Sequence, residues 1–304
     1  MKELITTVVN INGELYFDES LSEAKISVFD RGFLFGDSVY EVTCTHDGIP
    51  LKLHEHLDRL WYSASRLDLT ITLSRQEISY QINKTLKKLN KASAYIRFIV
   101  TRGEGEIGLD PRLSQGSNFI VIAKTLPENP KWWYTKGVEV IIAGIQRTSR
   151  KSVDPNVKSG NYLNNVLAYS EAKKAGAFDA IMLNHQGMVS EGTTSNIWIV
   201  KSNQVKTPPL KSGLLEGITR KTLLEISKQQ KISISEVEFG PDELLDADEC
   251  FLTSSTKRLV PITKIDNKII GNGKPGTWTK KLSTLYEEHI RESIAFIKKD
   301  QNQD

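Results

Sequence analysis

Residues 127–137, PENPKWWYTKG, divide the chain into two stretches that each mix strand and helix patterns. Proline, asparagine and glycine concentrate in this segment, and these residues favour turns over regular structure. A chain of 304 residues is long enough to bury two ordinary cores. We therefore predict a small α+β domain over residues 1–126, a linker over residues 127–136 and a larger domain over residues 137–304.

The stretch before the linker is predicted to form a sheet with two helices. TTVVNINGELYF carries an Asn-Gly dipeptide between alternating β-branched residues, which predicts a hairpin. HEHLDRLWYSASRL and RQEISYQINKTLKKL place leucine and isoleucine at helical spacing, whereas SAYIRFIVTRG and SNFIVIAKTL are typical of strands. A sheet covered by two helices is a small α+β unit.

The stretch after the linker alternates strand and helix patterns. VEVIIAGI predicts a strand, and Lys158 then precedes a segment that we expect to be an amphipathic helix. DAIMLNHQGMVSEG and NIWIVKSNQVKTPP predict two strand pairs with turns. The remaining segments predict a helix, a strand and a terminal helix: TRKTLLEISKQQ, DECFLTSST and TKKLSTLYEEHIRESIAFIKK.

Charge and cysteine content exclude several classes of protein. The net charge is only +3 with both signs interspersed, so we expect no nucleic-acid partner. Cys44 and Cys250 lie far apart, which argues against a disulfide framework and against a cysteine-based zinc site. The N-terminus has no signal-peptide pattern and the apolar runs are strand-sized, so we expect a cytoplasmic protein without a membrane partner.

Two short motifs suggest nucleotide binding and metal binding, but the neighbouring residues and the spacing argue against both functions. GEGEIG matches the dinucleotide pattern, yet Pro111 follows at once, and Glu104 and Glu106 would repel a phosphate. His54 and His56 stand two positions apart, so on a helix they face different directions and make a poor metal site. The sequence also lacks the G-x-S-x-G pattern of a serine nucleophile.

Lys158 stands among residues that could serve a pyridoxal phosphate enzyme. Such chemistry needs a lysine amine, a carboxylate against the pyridine nitrogen and a cradle for the phosphate. Glu191 lies at a strand end before a Gly-Thr-Thr-Ser turn. Residues 217–219, Gly-Ile-Thr, open a predicted helix whose amides could meet an anion, and residues 253–256 offer hydroxyls.

Seven segments in this order resemble the class IV aminotransferases, which are fold-type IV pyridoxal phosphate enzymes. The segments extend over nearly the whole chain: SVFDRGFLFGDSVYEV, HEHLDRL, YIRFIVTRGEGEIGLDPR, VKSGNYLNNVLA, VSEGTTSNIWIV, LEGITR and FLTSSTKRLVPI. The resemblance implies a D-amino acid aminotransferase-like architecture, with a small α+β N-terminal domain and a larger α/β pseudobarrel domain. It also implies pyridoxal 5'-phosphate as cofactor, and a homodimer in which a neighbour's loop closes each substrate pocket.

The resemblance also implies roles for individual residues. Lys158 matches the catalytic lysine, which forms an imine with the cofactor and acts as general acid and base. Glu191 matches the acid that pairs with the pyridine nitrogen. Four further positions match residues that bind the phosphate of the cofactor: Arg59, Ile218, Thr219 and Ser255. Tyr162 matches the tyrosine that faces the phenolic oxygen of the ring. The expected substrate-binding positions are Phe35, Tyr95, Arg97, Ser255 and Thr256.

The substrate stays open at this level. Tyr95 and Arg97, followed by GLDPR, resemble branched-chain enzymes, whereas RGFLFGDSVYEV is closer to D-amino acid aminotransferases. The loop RGEGEIGLDP lacks the Arg-x-His motif of D-specific enzymes, and TSSTKRLVP departs from the GTAAE of branched-chain members. We expect ping-pong transfer between a branched-chain L-amino acid and a 2-oxo acid. The alternatives are D-amino acid transamination, aminodeoxychorismate lyase activity and a non-catalytic binding protein.

Overall fold

A computed structural model describes residues 5–300 of the chain. It divides into two compact units. The first comprises the described chain as far as Pro127 together with Val157–Asn161, and the second comprises Glu128–Asn156 and the chain from Tyr162 onward. The segment with Lys158 therefore groups with the first unit, although it lies within the range predicted for the larger domain. The domain limits drawn from sequence stay a prediction.

The first unit is a six-stranded sheet with helices. Its strands follow the order β2-β1-β6-β5-β3-β4, and every neighbouring pair is antiparallel. The strands are β1 (Thr7–Ile11), β2 (Glu14–Phe17), β3 (Ser38–His46), β4 (Ile49–Pro50), β5 (Ala94–Thr101) and β6 (Asn118–Thr125). The helices are α1 (Arg31–Phe35), α2 (Leu53–Arg66) and α3 (Arg75–Leu89).

Local sequence accounts for these elements. The predicted hairpin is confirmed: Asn12 and Gly13 take φ values of 52° and 98°, the conformation that a two-residue type I′ turn requires. Both predicted helices are also present. α3 begins at a capping box in which the Ser74 and Glu77 side chains bond to each other's backbone amides.

The core of the first unit lies between the helices and the sheet. α2 and α3 bury leucines and isoleucines, including Leu60 and Ile82, against β5 residues such as Phe98. Each fully buried side chain of this kind contributes about 1.5–3 kcal/mol. On α2, His56 is 1% exposed, whereas the His54 side chain is 81% exposed, so the two imidazoles do diverge.

The second unit contains a nine-stranded sheet of order β12-β11-β10-β13-β14-β7-β8-β9, with β15 paired to β14. Its strands are β7 (Val138–Ile142), β8 (Asp179–Leu183), β9 (Val189–Gly192), β10 (Asn196–Lys201), β11 (Gln204–Thr207), β12 (Ile234–Glu236), β13 (Glu249–Ser254), β14 (Arg258–Ile265) and β15 (Lys268–Ile269). The helices are α4 (Trp132–Thr135), α5 (Leu163–Lys174), α6 (Ile218–Gln229), α7 (Pro241–Leu245) and α8 (Thr277–Asp300). Within residues 5–300, no helix has both the length and the apolar character that crossing a membrane requires.

Two segments of the second unit differ from the sequence-based expectation. The range proposed as a linker contains α4, and Trp133 packs edge-on against Phe178 with ring centroids 4.8 Å apart. The helix after Lys158 is not amphipathic. It buries alanines such as Ala168 and exposes larger apolar side chains: Leu163, Val166, Leu167 and Tyr169.

Candidate active site

Lys158 is held by β3 and α2, both in the first unit. Its carbonyl accepts a hydrogen bond from the Tyr40 amide at 3.0 Å, and its amide donates to Ser63 Oγ at 3.1 Å. The side chain is buried and its Nζ lies 4.4 Å from the centre of the Tyr40 ring. Lys158 precedes a helix as expected, but α5 begins only at Leu163, so β3 and α2 hold the lysine rather than the helix start.

Gly160 explains the Ser-Gly sequence that follows the lysine. Its amide donates to the Ser38 carbonyl at 2.8 Å, and Ser159 forms a bridge with Val39. A Cβ atom at Gly160 would lie 2.3 Å from Ser38 Oγ, which is shorter than the contacts that non-bonded atoms make in proteins. Only glycine lets this segment lie so near β3.

Arg59 belongs to a buried charge network on β3 and α2. Its Nε and Nη2 donate to the two oxygens of Glu41, each at 2.7 Å, and His56 Nδ1 lies 2.7 Å from Glu41 Oε2. Burial alone would raise the pKa of Glu41, but the charge and hydrogen bonds of Arg59 outweigh it and the pKa falls to about 2. Burial lowers the pKa of His56 although Glu41 opposes the shift. Glu41 thus fixes the orientation of the Arg59 guanidinium.

The predicted substrate residues are only partly brought together. The Arg97 guanidinium lies 3.8 Å from the centre of the Tyr40 ring, so Arg97 and Lys158 share this ring. Tyr95 stands two positions before Arg97 on β5 and contacts Lys124. Phe35 ends α1, is 36% exposed and packs against the Arg31 guanidinium instead.

Glu191 is the centre of a hydrogen-bond network in the second unit. It lies on β9 with 4% exposure and accepts hydrogen bonds from Arg147 Nε at 2.9 Å and the Leu215 amide at 3.1 Å. Asn196 Nδ2 approaches its second oxygen at 3.4 Å. These donors hold the carboxylate in place, and the Arg147 side chain is itself almost fully buried.

Arg147 also links Glu191 to the start of α5. Its Nη1 donates to Asn165 Oδ1 at 3.3 Å, and Asn165 Nδ2 donates to the Thr193 carbonyl at 2.8 Å. Tyr162 is the residue that immediately precedes α5 and is half-buried. The predicted tyrosine is therefore three positions before Asn165, the α5 residue through which Arg147 connects to the Thr193 carbonyl.

The start of α6 has the features of an anion site. Gly217 precedes the helix without a side-chain cap, and the amides of Ile218 and Thr219 donate to no protein group within residues 5–300. Thr219 is buried at 2% exposure. A Cβ atom at Gly217 would lie 2.0 Å from Asn196 Oδ1, so glycine is required where the helix meets the Glu191 network.

Ser255 and Thr256 lie in the turn between β13 and β14. The register pairs Thr253 on β13 with Asn196 on β10, which places this turn at the end of the sheet where Asn196 joins Glu191 to the α6 region. Asn129 Nδ2 donates to the Thr256 carbonyl at 3.0 Å and thereby holds the turn. The second unit thus brings together the acid, the helix start and the hydroxyl-bearing turn.

Sequence reasoning missed four residues of this arrangement: Tyr40, Glu41, Arg147 and Asn196. Glu41 did carry a signal, since an acid within the apolar strand SVYEVTCTH needs a partner if both faces of the strand are covered. Arg147 carried none. It lies in a loop rich in basic residues, where most side chains are exposed.

Comparison with known proteins identifies the family. The model of the family described as amino-transferase class IV matches residues 38–265. A putative branched-chain-amino-acid aminotransferase of Methanocaldococcus jannaschii is 39% identical over 280 residues, covering 92% of this chain and 95% of that protein. A D-alanine aminotransferase of Bacillus licheniformis is 35% identical over 278 residues, which cover 90% of this chain and 95% of that protein.

A solved structure gives the same result for the fold. A branched-chain amino acid aminotransferase from T.th., solved with pyridoxamine 5'-phosphate, superposes with a TM-score of 0.87 at 28% identity, covering 94% of both chains. The predicted fold-type IV class and the predicted enzyme family are thereby confirmed. This chain belongs to the class IV aminotransferase family.

Proposed function

We propose that this protein transfers the amino group of an amino acid to a 2-oxo acid with pyridoxal 5'-phosphate as cofactor. The observation that carries the proposal is the buried Lys158, held by Tyr40 of β3 and Ser63 of α2, the two elements that also carry Glu41 and Arg59, in a chain of the class IV family. The solved relative with pyridoxamine 5'-phosphate supports the cofactor. The cytoplasmic location stays a prediction, supported by two buried cysteines that are not joined in a disulfide.

The described residues fit this cofactor. A phosphate dianion needs several donors, and the unbonded amides of Ile218 and Thr219 at a helix start supply two, with the Thr219 hydroxyl as a third. Arg59 would add a guanidinium whose direction Glu41 fixes. Glu191 would hold the protonated ring nitrogen, and Tyr162 would donate to the phenolic oxygen.

The chemistry divides between the cofactor and the chain. The bound cofactor withdraws electrons from the amino acid and so makes its Cα–H bond acidic. Lys158 Nζ would take the proton from Cα and deliver it to the C4′ carbon of the cofactor in the donor half of the transfer, and would move a proton in the reverse direction in the acceptor half. Arg147 keeps Glu191 oriented through the hydrogen bond to its Oε1. Arg97, stacked on Tyr40, offers a guanidinium for a substrate carboxylate.

A branched-chain L-amino acid is the donor that we favour, because Tyr95 and Arg97 follow the branched-chain pattern and a curated relative carries that name. D-Amino acids are the second candidate. The D-alanine aminotransferase of Bacillus licheniformis is nearly as similar to this chain, and SVYEV follows the D-specific pattern.

A homodimer is the assembly that we propose. The first unit exposes Phe29 and Phe33, and α5 of the second unit exposes Leu163, Val166 and Leu167. Clusters of exposed apolar residues mark interfaces in soluble proteins. Val166→Asp should shift the mass measured by light scattering from dimer toward monomer, whereas Lys174→Asp, at the polar end of α5, should leave it unchanged.

The proposed function is tested by trapping the cofactor and by a donor panel. Borohydride reduction of the purified enzyme should place a pyridoxyl group on Lys158. The Lys158→Ala variant should lose both this adduct and turnover. The control variant Lys151→Ala, which changes an exposed lysine, should keep both. L-leucine, L-isoleucine, D-alanine and D-glutamate are then offered with 2-oxoglutarate or pyruvate. Turnover with D-donors only would overturn the branched-chain assignment. Pyruvate release from aminodeoxychorismate without an acceptor would instead establish a lyase.

A further inference from the structure

A pocket of about 330 Å³ lies along α8 in the second unit, and its lining includes none of the residues assigned to the cofactor or the substrate. One wall is the α8 face that carries Lys280, Ser283, Thr284, Glu287 and Arg291. The opposite wall is formed by Tyr134 of α4 and by Leu259 and Pro261 of β14. This volume is at the lower end of the range in which proteins bind small molecules.

The charges on the α8 wall are unbalanced. Arg258 and Glu287 form an ion pair with each other. Lys280 and Arg291 make no ion pair within residues 5–300. They stand with Thr284 and Glu287 at spacings of three and four residues, so all four lie on one face of the helix. The pocket therefore keeps two positive charges and two hydroxyl groups that an anion could use.

The opposite wall is apolar. The partly exposed Tyr134 ring provides most of its surface, beside the buried Leu259 and Pro261. Inorganic anions gain nothing from such a wall, whereas a small organic acid can rest its hydrocarbon body there and direct its carboxylate toward Lys280 and Arg291.

The pocket shares hydrogen bonds with the β13–β14 turn. The Tyr134 hydroxyl donates to the Lys257 carbonyl at 2.9 Å, and Asn129 Nδ2 contacts both the Tyr134 hydroxyl and the Thr256 carbonyl at 3.0 Å. Arg258, at the end of the same turn, pairs with Glu287 of the pocket wall. An occupant that orders these side chains also orders the turn.

We propose that the α8 pocket is an effector site for a small organic carboxylate with an apolar body, and that its occupancy stabilises the turn at residues 255–258. The first part stands on the pocket alone. The second part rests on the proposed function, since that function gives Ser255 and Thr256 their roles.

The binding part is tested with 4-bromobenzoate and its neutral analogue 4-bromobenzamide on the cofactor-loaded enzyme. Anomalous scattering should place bromine of the carboxylate, and not of the amide, in the α8 pocket. In solution, the Lys280→Gln/Arg291→Gln variant should bind the carboxylate there about tenfold more weakly, the change that about 1.4 kcal/mol produces. Lys281→Gln/Lys299→Gln loses the same charge from the same helix outside the pocket and should bind as the unmodified enzyme does.

Three results would overturn the site: no bromine in the pocket at millimolar probe, equal binding of the amide, or equal loss in both double variants. The effector part is tested by hydrogen exchange, which should slow at residues 255–258 only when the carboxylate is present and the pocket is intact. Unchanged exchange with bromine in the pocket would refute that part. Borohydride labelling of Lys158 in the same samples tests the proposed function separately. Labelled Lys158 with unchanged exchange would count against the effector site alone, whereas unlabelled Lys158 would count against the proposed function.

Discussion

Glu41→Gln is the substitution with the most sharply defined consequence. It keeps the shape of the side chain but removes the charge that accepts both hydrogen bonds from Arg59, in a pair whose side chains are 0% and 9% exposed. Removing one partner of a buried ion pair costs about 3–5 kcal/mol. The pKa of Glu41 gives a similar figure: a fall from 4.5 to about 2 corresponds to about 3 kcal/mol of folding free energy.

The same pKa determines the pH range in which the stabilising effect of Glu41 disappears. A carboxylate whose pKa is depressed on folding stabilises the protein above its unfolded pKa, here 4.5, and loses that effect as pH falls toward about 2. Protonated Glu41 resembles glutamine. The difference in unfolding free energy between the unmodified chain and Glu41→Gln should therefore be about 3 kcal/mol at pH 7 and should shrink steadily below pH 4.5.

Urea unfolding of both proteins at several pH values measures this difference. Glu55→Gln is the matched control, because Glu55 also lies on α2 but pairs with Lys52 in a partly exposed bridge. Its loss should be below about 1 kcal/mol. A Glu41→Gln loss below about 1 kcal/mol at pH 7, or a loss of the same size at pH 3, would refute the assignment of a buried, charged pair.

Three further substitutions test the rest of the site. Arg147→Met removes the charged donor to Glu191 and should weaken cofactor binding to the apoenzyme roughly tenfold or more. Absorbance titration measures this affinity. The control Arg150→Met, which removes an exposed arginine paired with Asp154, should leave the affinity unchanged. Gly217→Ala forces a clash with Asn196 and should lower stability by about 1–3 kcal/mol in thermal unfolding, whereas Gly240→Ala, in open space, should not. Gly160→Ala should slow pyridoxyl labelling of the lysine because its Cβ would push the segment off β3; normal labelling would contradict that account.

Elements that local sequence determines were predictable. The Asn12–Gly13 hairpin and helix α3 depend on residues close together in the chain, and both formed as expected. The helix after Lys158 was misjudged, because its apolar residues look like a core face in sequence although the structure exposes them. Periodicity reports that a helix has an apolar side but not what covers it.

The sequence motifs single out candidate site residues, but not the residues that hold them in place. Motifs indicated Lys158 and Glu191, yet Ser63, which accepts from the Lys158 amide, is 95 residues away in sequence. Arg147 is 44 residues from Glu191. No local pattern encodes such pairs, since they arise only when distant strands and helices pack. The supporting residues therefore became visible only in three dimensions.

The route of the backbone limits how this enzyme could be cut or recombined. The short segment Val157–Asn161 belongs with the first unit, but the polypeptide before and after it belongs with the second. A gene fragment that ends at Pro127 would encode β3 without Lys158, and the complementary fragment would encode Lys158 without its supporting strand. Swapping either half between relatives would separate Lys158 from the residues that hold it. Functional chimaeras should therefore place their junctions outside residues 38–161.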